Sequence, residues 1–196
     1  MPGTDCHMMK TALTGEVSEC GDTGVIVQDD ETCFIALVDV LGHGKDAATV
    51  AAVAEAFLAE NCRKPVADLM QGLHERLKGS RGAVAFLGRL DLATGDFRFA
   101  GIGNISAKVF GTDDPRRLMS KDGVVGYMMS TPREQILRLI PRDIVMLCSD
   151  GVREHFDILE HPGLLRGSAE NVVENMLSQL SKGDDDASCL VMRVLK

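Results

Sequence analysis

Acidic residues stand at four places where apolar runs of this chain begin or end. Asp39 falls in Val38-Asp39-Val40-Leu41-Gly42-His43-Gly44, at the end of the run Thr32 to Asp39. Asp150 falls in Leu147-Cys148-Ser149-Asp150-Gly151, after the run Asp143 to Cys148. Gly183-Asp184-Asp185-Asp186-Ala187-Ser188 precedes the last apolar run, and Asp22 in Glu19-Cys20-Gly21-Asp22 precedes the first. Carboxylates at strand ends converge when the strands share a sheet edge, and all-oxygen clusters suit hard divalent cations such as Mg²⁺ or Mn²⁺. Several such carboxylates repel one another unless a cation stands among them. Each spot alone has a plainer reading: Asp150-Gly151 as a turn, 184–186 as a solvated loop, Gly42-His43-Gly44 as a helix-entry turn. Order and spacing taken together carry the signal. A thiol nucleophile fits less well, because a C-x₅-R phosphate cradle needs one more residue between Cys148 and Arg153 and none with Asp150 inside it.

The elements that must hold these residues follow from periodicity. Val25 to Asp30 and Thr32 to Asp39 read as a hairpin, and the second run is apolar enough to be buried on both faces. Lys45 to Cys62 is Ala-rich and free of Gly and Pro, which predicts a helix suited to close packing. Pro65 opens a second helix running to about Leu77. From Ala83 a meander of strands is expected: Ala83 to Asp91, Phe97 to Ile102, Asn104 to Phe110, Arg116 to Ser120, Gln135 to Ile140 and Asp143 to Cys148, with Pro141-Arg142-Asp143 a tight turn. Val172, Val173, Met176, Leu177 and Leu180 recur at helical spacing behind Ser168 as N-cap, and Ala187 to Leu195 reads as a final strand. Thr112 to Glu134 and Arg153 to Gly167 are loop-prone and either could form a recognition flap.

Composition narrows the functional classes. Of 196 residues, 45% are hydrophobic and 26% charged, ordinary globular usage, so one domain spanning 1–196 with an α+β layered core is expected. Aromatics are only 4%, leaving Val, Leu, Ile, Ala and the 10 Met residues to fill the interior. The net charge of -8 excludes a nucleic-acid binder, which needs a basic face, and offers no polybasic membrane anchor. No run reaches the roughly 18 apolar residues of a membrane span. The six cysteines show no CxxC spacing, so free, mostly buried thiols in a cytoplasmic protein are expected.

Five ordered motifs, Gly21-Asp22, Asp39-Val40-Leu41-Gly42-His43-Gly44, Ala100-Gly101-Ile102-Gly103-Asn104, Ser149-Asp150-Gly151 and Asp185-Asp186-Ala187-Ser188, resemble those of the PPM (PP2C-type) metal-dependent serine/threonine phosphatases, in particular the SpoIIE-like branch. The resemblance covers essentially the whole chain. It implies a four-layer α-β-β-α sandwich of two antiparallel sheets flanked by helices, with two Mn²⁺ or Mg²⁺ ions at one edge. Carried over by position, it implies Asp39 as the carboxylate bridging both ions, the Val40 carbonyl as a further ligand, Asp150 and Asp185 on one ion and Asp22 near the other. Asp185 is chosen over Asp184 and Asp186 because Asp185-Asp186-Ala187-Ser188 matches the family's Asp-Asp/Asn-x-Thr/Ser ending. Val40 departs from the Gly that most often follows the first Asp. His43, the histidine nearest a ligand in sequence, is the candidate proton donor to the leaving group, with a helix-start packing role as its alternative.

A bare catalytic chain is most similar to the stressosome-feedback phosphatases, which implies phosphorylated STAS-domain scaffold proteins as partners, with no nucleic acid or membrane. The alternative substrate is a phosphorylated anti-sigma-factor antagonist, also a STAS protein. An alternative from another class is a pseudophosphatase that binds without turnover.

Overall fold

The computed structural model describes residues 3–111, 115–158 and 160–195. The strands are β1 (Thr4–Thr11), β2 (Asp22–Gln28), β3 (Thr32–Val40), β4 (Ala83–Asp91), β5 (Asp96–Ile102), β6 (Ser106–Phe110), β7 (Arg116–Arg117), β8 (Gly123–Val124), β9 (Met128–Met129), β10 (Gln135–Arg138), β11 (Ile144–Cys148) and β12 (Ala187–Val194). The helices are α1 (Lys45–Asn61), α2 (Val66–Leu77) and α3 (Ala169–Leu180).

Two five-stranded antiparallel sheets form, in the orders β1-β12-β11-β6-β7 and β10-β5-β4-β3-β2. Alternation along β3 explains why that strand is apolar throughout. Cys33, Ile35 and Leu37 face the layer between the sheets, while Phe34, Ala36 and Val38 face the helices. Behind this second sheet, Ala47, Ala51, Ala54 and Leu58 of α1 and Leu69, Met70 and Leu73 of α2 complete one core. Between the sheets, Phe86, Phe97 and Phe99 pack with Val145, Leu147, Leu190 and Met192. Behind the first sheet, Met146, Val191 and Cys189 pack under Val172, Val173, Met176 and Leu180 of α3. The layers are therefore helix, sheet, sheet, helix, the four-layer sandwich expected. Each fully buried Leu or Phe stabilises by about 1.5–3 kcal/mol, so three cores support a chain with few aromatics.

The predicted helices form within a residue or two of their expected ends. Ser168 caps α3 in a capping box with Asn171, accepting from its N–H at 3.3 Å. Pro65 precedes α2 and is not its first residue. Two expectations need correction. The stretch from Ala83 is no simple meander: β4 and β5 lie in one sheet, β6 crosses to the other, and β10 returns to pair with β5. The first strand is not the run from Val25, which belongs to β2 and begins three residues earlier at Asp22, but β1 at Thr4, which pairs with β12 along its whole length. The first of the two flap candidates is also more ordered than a loop. Leu118 and Val125 are buried and β8 pairs with β9, though Thr112, Asp113 and Asp114 of that segment, and Leu159 of the other, lie outside the described residues. All six cysteines are free thiols, four of them buried, with Cys6 facing Cys33 at 3.5 Å between the sheets. No described helix is long and apolar enough to cross a membrane.

Candidate active site

At one edge of the inter-sheet layer the apolar stripe gives way to polar groups. On β3 the residue after Leu37 on the same face is Asp39; on β12 the residue before Leu190 on the inward face is Ser188. Asp22 opens β2 directly opposite Asp39 in the β2–β3 register. Asp150 follows the end of β11, and Asp185 lies in the loop that feeds β12, two residues before its start. Four strand ends thus bring Asp22, Asp39, Asp150 and Asp185 toward one another from sequence positions far apart.

The electrostatics record that convergence. Burial pushes the Asp39 carboxyl up to about 9, reinforced by the charges of Asp22, Asp150 and Asp185. Asp22, only 1% exposed, is pushed up to about 6 by burial, with the hydroxyls of Ser149 and Ser188 opposing the shift and Asp186 and Asp150 adding to it. Its Oδ2 is buried with no hydrogen-bond partner. A buried carboxylate oxygen left without a donor, beside a second carboxyl forced to keep its proton, is what a hard cation would relieve. The donor set of carboxylate oxygens fits Mg²⁺ or Mn²⁺. Among the described residues, however, no three acidic, His or Cys side chains close into a finished cation cage.

Neighbouring groups hold the aspartates in place. Asn104 Nδ2 donates to Asp150 Oδ2 at 3.1 Å, which gives the Gly103-Asn104 turn a purpose that sequence reading left blank. The Ser188 N–H donates to Ser149 Oγ at 2.9 Å, tying the Asp150 turn to the start of β12. Asp186 is buried and accepts from the N–H groups of Leu13 (2.8 Å) and Gly21 (2.6 Å), so it bolts the β12 loop to the β1–β2 connection. Asp185 is exposed and accepts from the N–H of Asp186 at 2.8 Å. Asp186 is therefore occupied structurally, and Asp185 is near enough for its charge to push up the Asp39 carboxyl. Lys10 Nζ donates to the Asp22 carbonyl at 2.7 Å and brings a cation close to it.

Val40 lies in β3 with its side chain in the helix-facing core, and its backbone is outside the left-handed region. Valine therefore fits this position, and the local path needs no glycine. Gly42 and Gly44 do have φ of 80° and 82°, the turn from β3 into α1. His43 between them is exposed, in that turn and before the first residue of α1.

The SpoIIE family profile, described as Stage II sporulation protein E, matches residues 29–195. No curated protein sequence matches the chain significantly. Among solved structures, a chain from work on the bacterial stressosome as a modular system adapted to control secondary messenger signalling is 28% identical. It superposes with a TM-score of 0.88 over 97% of this chain and 99% of that one. RsbX in complex with magnesium is 18% identical, with a TM-score of 0.84 over 97% of this chain and 95% of that one. The PP2C phosphatase domain of SpoIIE from Bacillus subtilis is 15% identical, with a TM-score of 0.73 over 97% of this chain and 63% of that one. At those identities the last two establish the shared fold.

Proposed function

The chain belongs to the SpoIIE family of PP2C-type serine/threonine phosphatases, and from that premise we propose that it removes phosphate from phosphoserine and phosphothreonine on STAS-domain scaffold proteins of a stressosome. The observation that carries the phosphatase reading is the pairing of buried Asp22 with half-buried Asp39, with Asp150 and Asp185 beside them. The scaffold assignment is supported by the 28% identical chain from work on the bacterial stressosome, which this chain matches over nearly its full length. The whole chain, 1–196, is read as one catalytic domain acting in the cytoplasm.

Two Mn²⁺ or Mg²⁺ ions would be held by Asp22, Asp39, the Val40 carbonyl, Asp150 and Asp185. Bound there, such a pair supplies an activated water and charge that offsets the phosphoryl oxygens during in-line displacement at phosphorus. Asn104 holds the Asp150 carboxylate at its orientation, and Asp186 fixes the loop that presents Asp185. His43, exposed in the turn from β3 into α1, gives a proton to the leaving serine or threonine oxygen. Exposed Leu41 and Met119 flank a cavity of about 490 Å³ that also reaches Asn104, room for the polypeptide around a phosphoresidue.

The test is a side-by-side rate comparison on a phosphorylated STAS scaffold, a phosphorylated anti-sigma-factor antagonist and an unrelated phosphopeptide. The scaffold should be dephosphorylated fastest. Preference for the antagonist would move the chain to that partner with its chemistry intact, and equal rates on all three would remove the partner assignment.

A further inference from the structure

A phosphomonoester arriving at a cluster of carboxylates carries close to two negative charges. Beyond the cations the cluster would hold, it needs directional donors from the protein. The basic side chains near the aspartates differ in what they have left to give. Lys10 is committed to the Asp22 carbonyl at 2.7 Å. Lys45 is 85% exposed and lies 3.6 Å from Glu19. Arg117, on the cavity that Asn104 also lines, pairs with Glu154 at 2.8 Å.

Arg81 is different. It lies between α2 and β4, a region with no motif, yet it is locked to the segment that leaves Asp39. Its Nη1 donates to the Leu41 carbonyl at 3.1 Å, and the Leu41 N–H donates to the Gly82 carbonyl at 3.1 Å. The guanidinium rests on Gly42, where a Cβ would lie 2.8 Å from Nη1. The arginine is therefore held against the backbone two residues beyond Asp39 and one beyond Val40. Its other nitrogen, Nη2, stands 3.6 Å from Asp46, whose side chain is 90% exposed. An ion pair of that kind is worth about 0–1 kcal/mol and yields readily to a better anion. Leu41 gives its carbonyl to Arg81 and its side chain to the wall of the 490 Å³ cavity that Asn104 also lines. Arg81 thus stands behind one wall of the cleft in which Asn104 positions Asp150.

We propose that Arg81 is a phosphate-binding residue, swinging its Nη2 edge from Asp46 to the phosphoryl oxygens of the substrate. The proposal rests on the phosphatase reading for its substrate and on the Leu41–Gly42 clamp for its residue. A guanidinium suits the task because its planar fork can hold the Leu41 carbonyl with one edge and a phosphoryl oxygen with another.

The test compares wild type, Arg81→Ala and Arg81→Lys with Mn²⁺ present. It measures binding of inorganic phosphate by calorimetry, KM and kcat on p-nitrophenyl phosphate, Mn²⁺ affinity, and Tm. Loss of one charge-assisted hydrogen bond should weaken phosphate binding and raise KM about tenfold, with kcat changed little. Mn²⁺ affinity should hold, and Arg81→Lys should recover part of the loss. If Arg81→Ala lowers Tm too far to assay, Arg81→Lys and Arg81→Gln carry the comparison. Phosphate affinity equal in wild type and variants, or no phosphate binding by wild type, overturns the proposal. Arg81-dependent phosphate binding without turnover sustains it and instead sinks the phosphatase reading.

Discussion

Asp39→Asn should make the metal-free protein more stable while abolishing its activity. In the fold the Asp39 carboxyl is held at about 9, by burial first and then by Asp22, Asp150 and Asp185. A free Asp titrates near 3.9, so at about pH 7.5 the unfolded chain releases a proton that the folded chain retains. A group whose folded value is raised contributes its stability below its unfolded value and loses it as pH rises toward its folded value. Stability of the metal-free chain should therefore fall between about pH 4 and 9 from this group. The gap from about 3.9 to 7.5, at about 1.36 kcal/mol per unit, gives a ceiling of about 5 kcal/mol. Asp39 is half-buried at the sheet edge, and solvent there reduces the realised effect to about 2 kcal/mol. An asparagine needs no proton and brings no charge to the cluster. For a chain of this length the gain corresponds to about 4–8 °C in Tm. Scanning fluorimetry in EDTA from pH 5 to 9 measures it: the variant should melt above wild type by a margin that widens with pH. Added Mn²⁺ should raise wild type and leave the variant nearly unmoved. A variant melting at or below wild type in EDTA at every pH would refute the reasoning.

Asn104→Ala, which frees Asp150 from its amide, should lower kcat/KM about tenfold with Tm nearly unchanged, read by steady-state kinetics beside a melt. Gly151→Ala places a Cβ 2.0 Å from the Asp186 carbonyl and should cost about 1–3 kcal/mol or more in urea unfolding. Asp143→Ala, distant from the cleft, removes the buried carboxylate that accepts from the Ile140 N–H at 3.0 Å. It should cost about 1–3 kcal/mol in the same measurement while leaving kcat per folded molecule intact.

Much of this arrangement was legible in the residues because the site uses short, ordered motifs. Asp39, Asp150 and Asp185 each stand at a strand end, and a strand end is among the plainer signals in a sequence. Asp22 was legible only as a neighbour of the first apolar run; its consequence comes from register, which sets it opposite Asp39. β1 escaped because it is an edge strand, partly buried along its length, with no clean alternation in Thr4–Thr11. The distribution of strands between sheets was equally hidden, since alternation says which residues face inward and nothing about which sheet a strand joins. Asn104 carried a motif but no role until its amide met Asp150, 46 positions away. Arg81 had no signal at all, because its place is made by a contact with Leu41 across 40 positions.

The most direct test of the account is hydrolysis of a phosphoserine protein and of p-nitrophenyl phosphate by wild type, Asp39→Asn and Asp150→Asn, with Mn²⁺, Mg²⁺ or EDTA. Activity that requires a divalent ion, disappears in EDTA and falls at least about 100-fold in both folded variants is the predicted result. A wild type inert with every metal, or variants that keep the full rate, would contradict the claim that these aspartates form the catalytic centre.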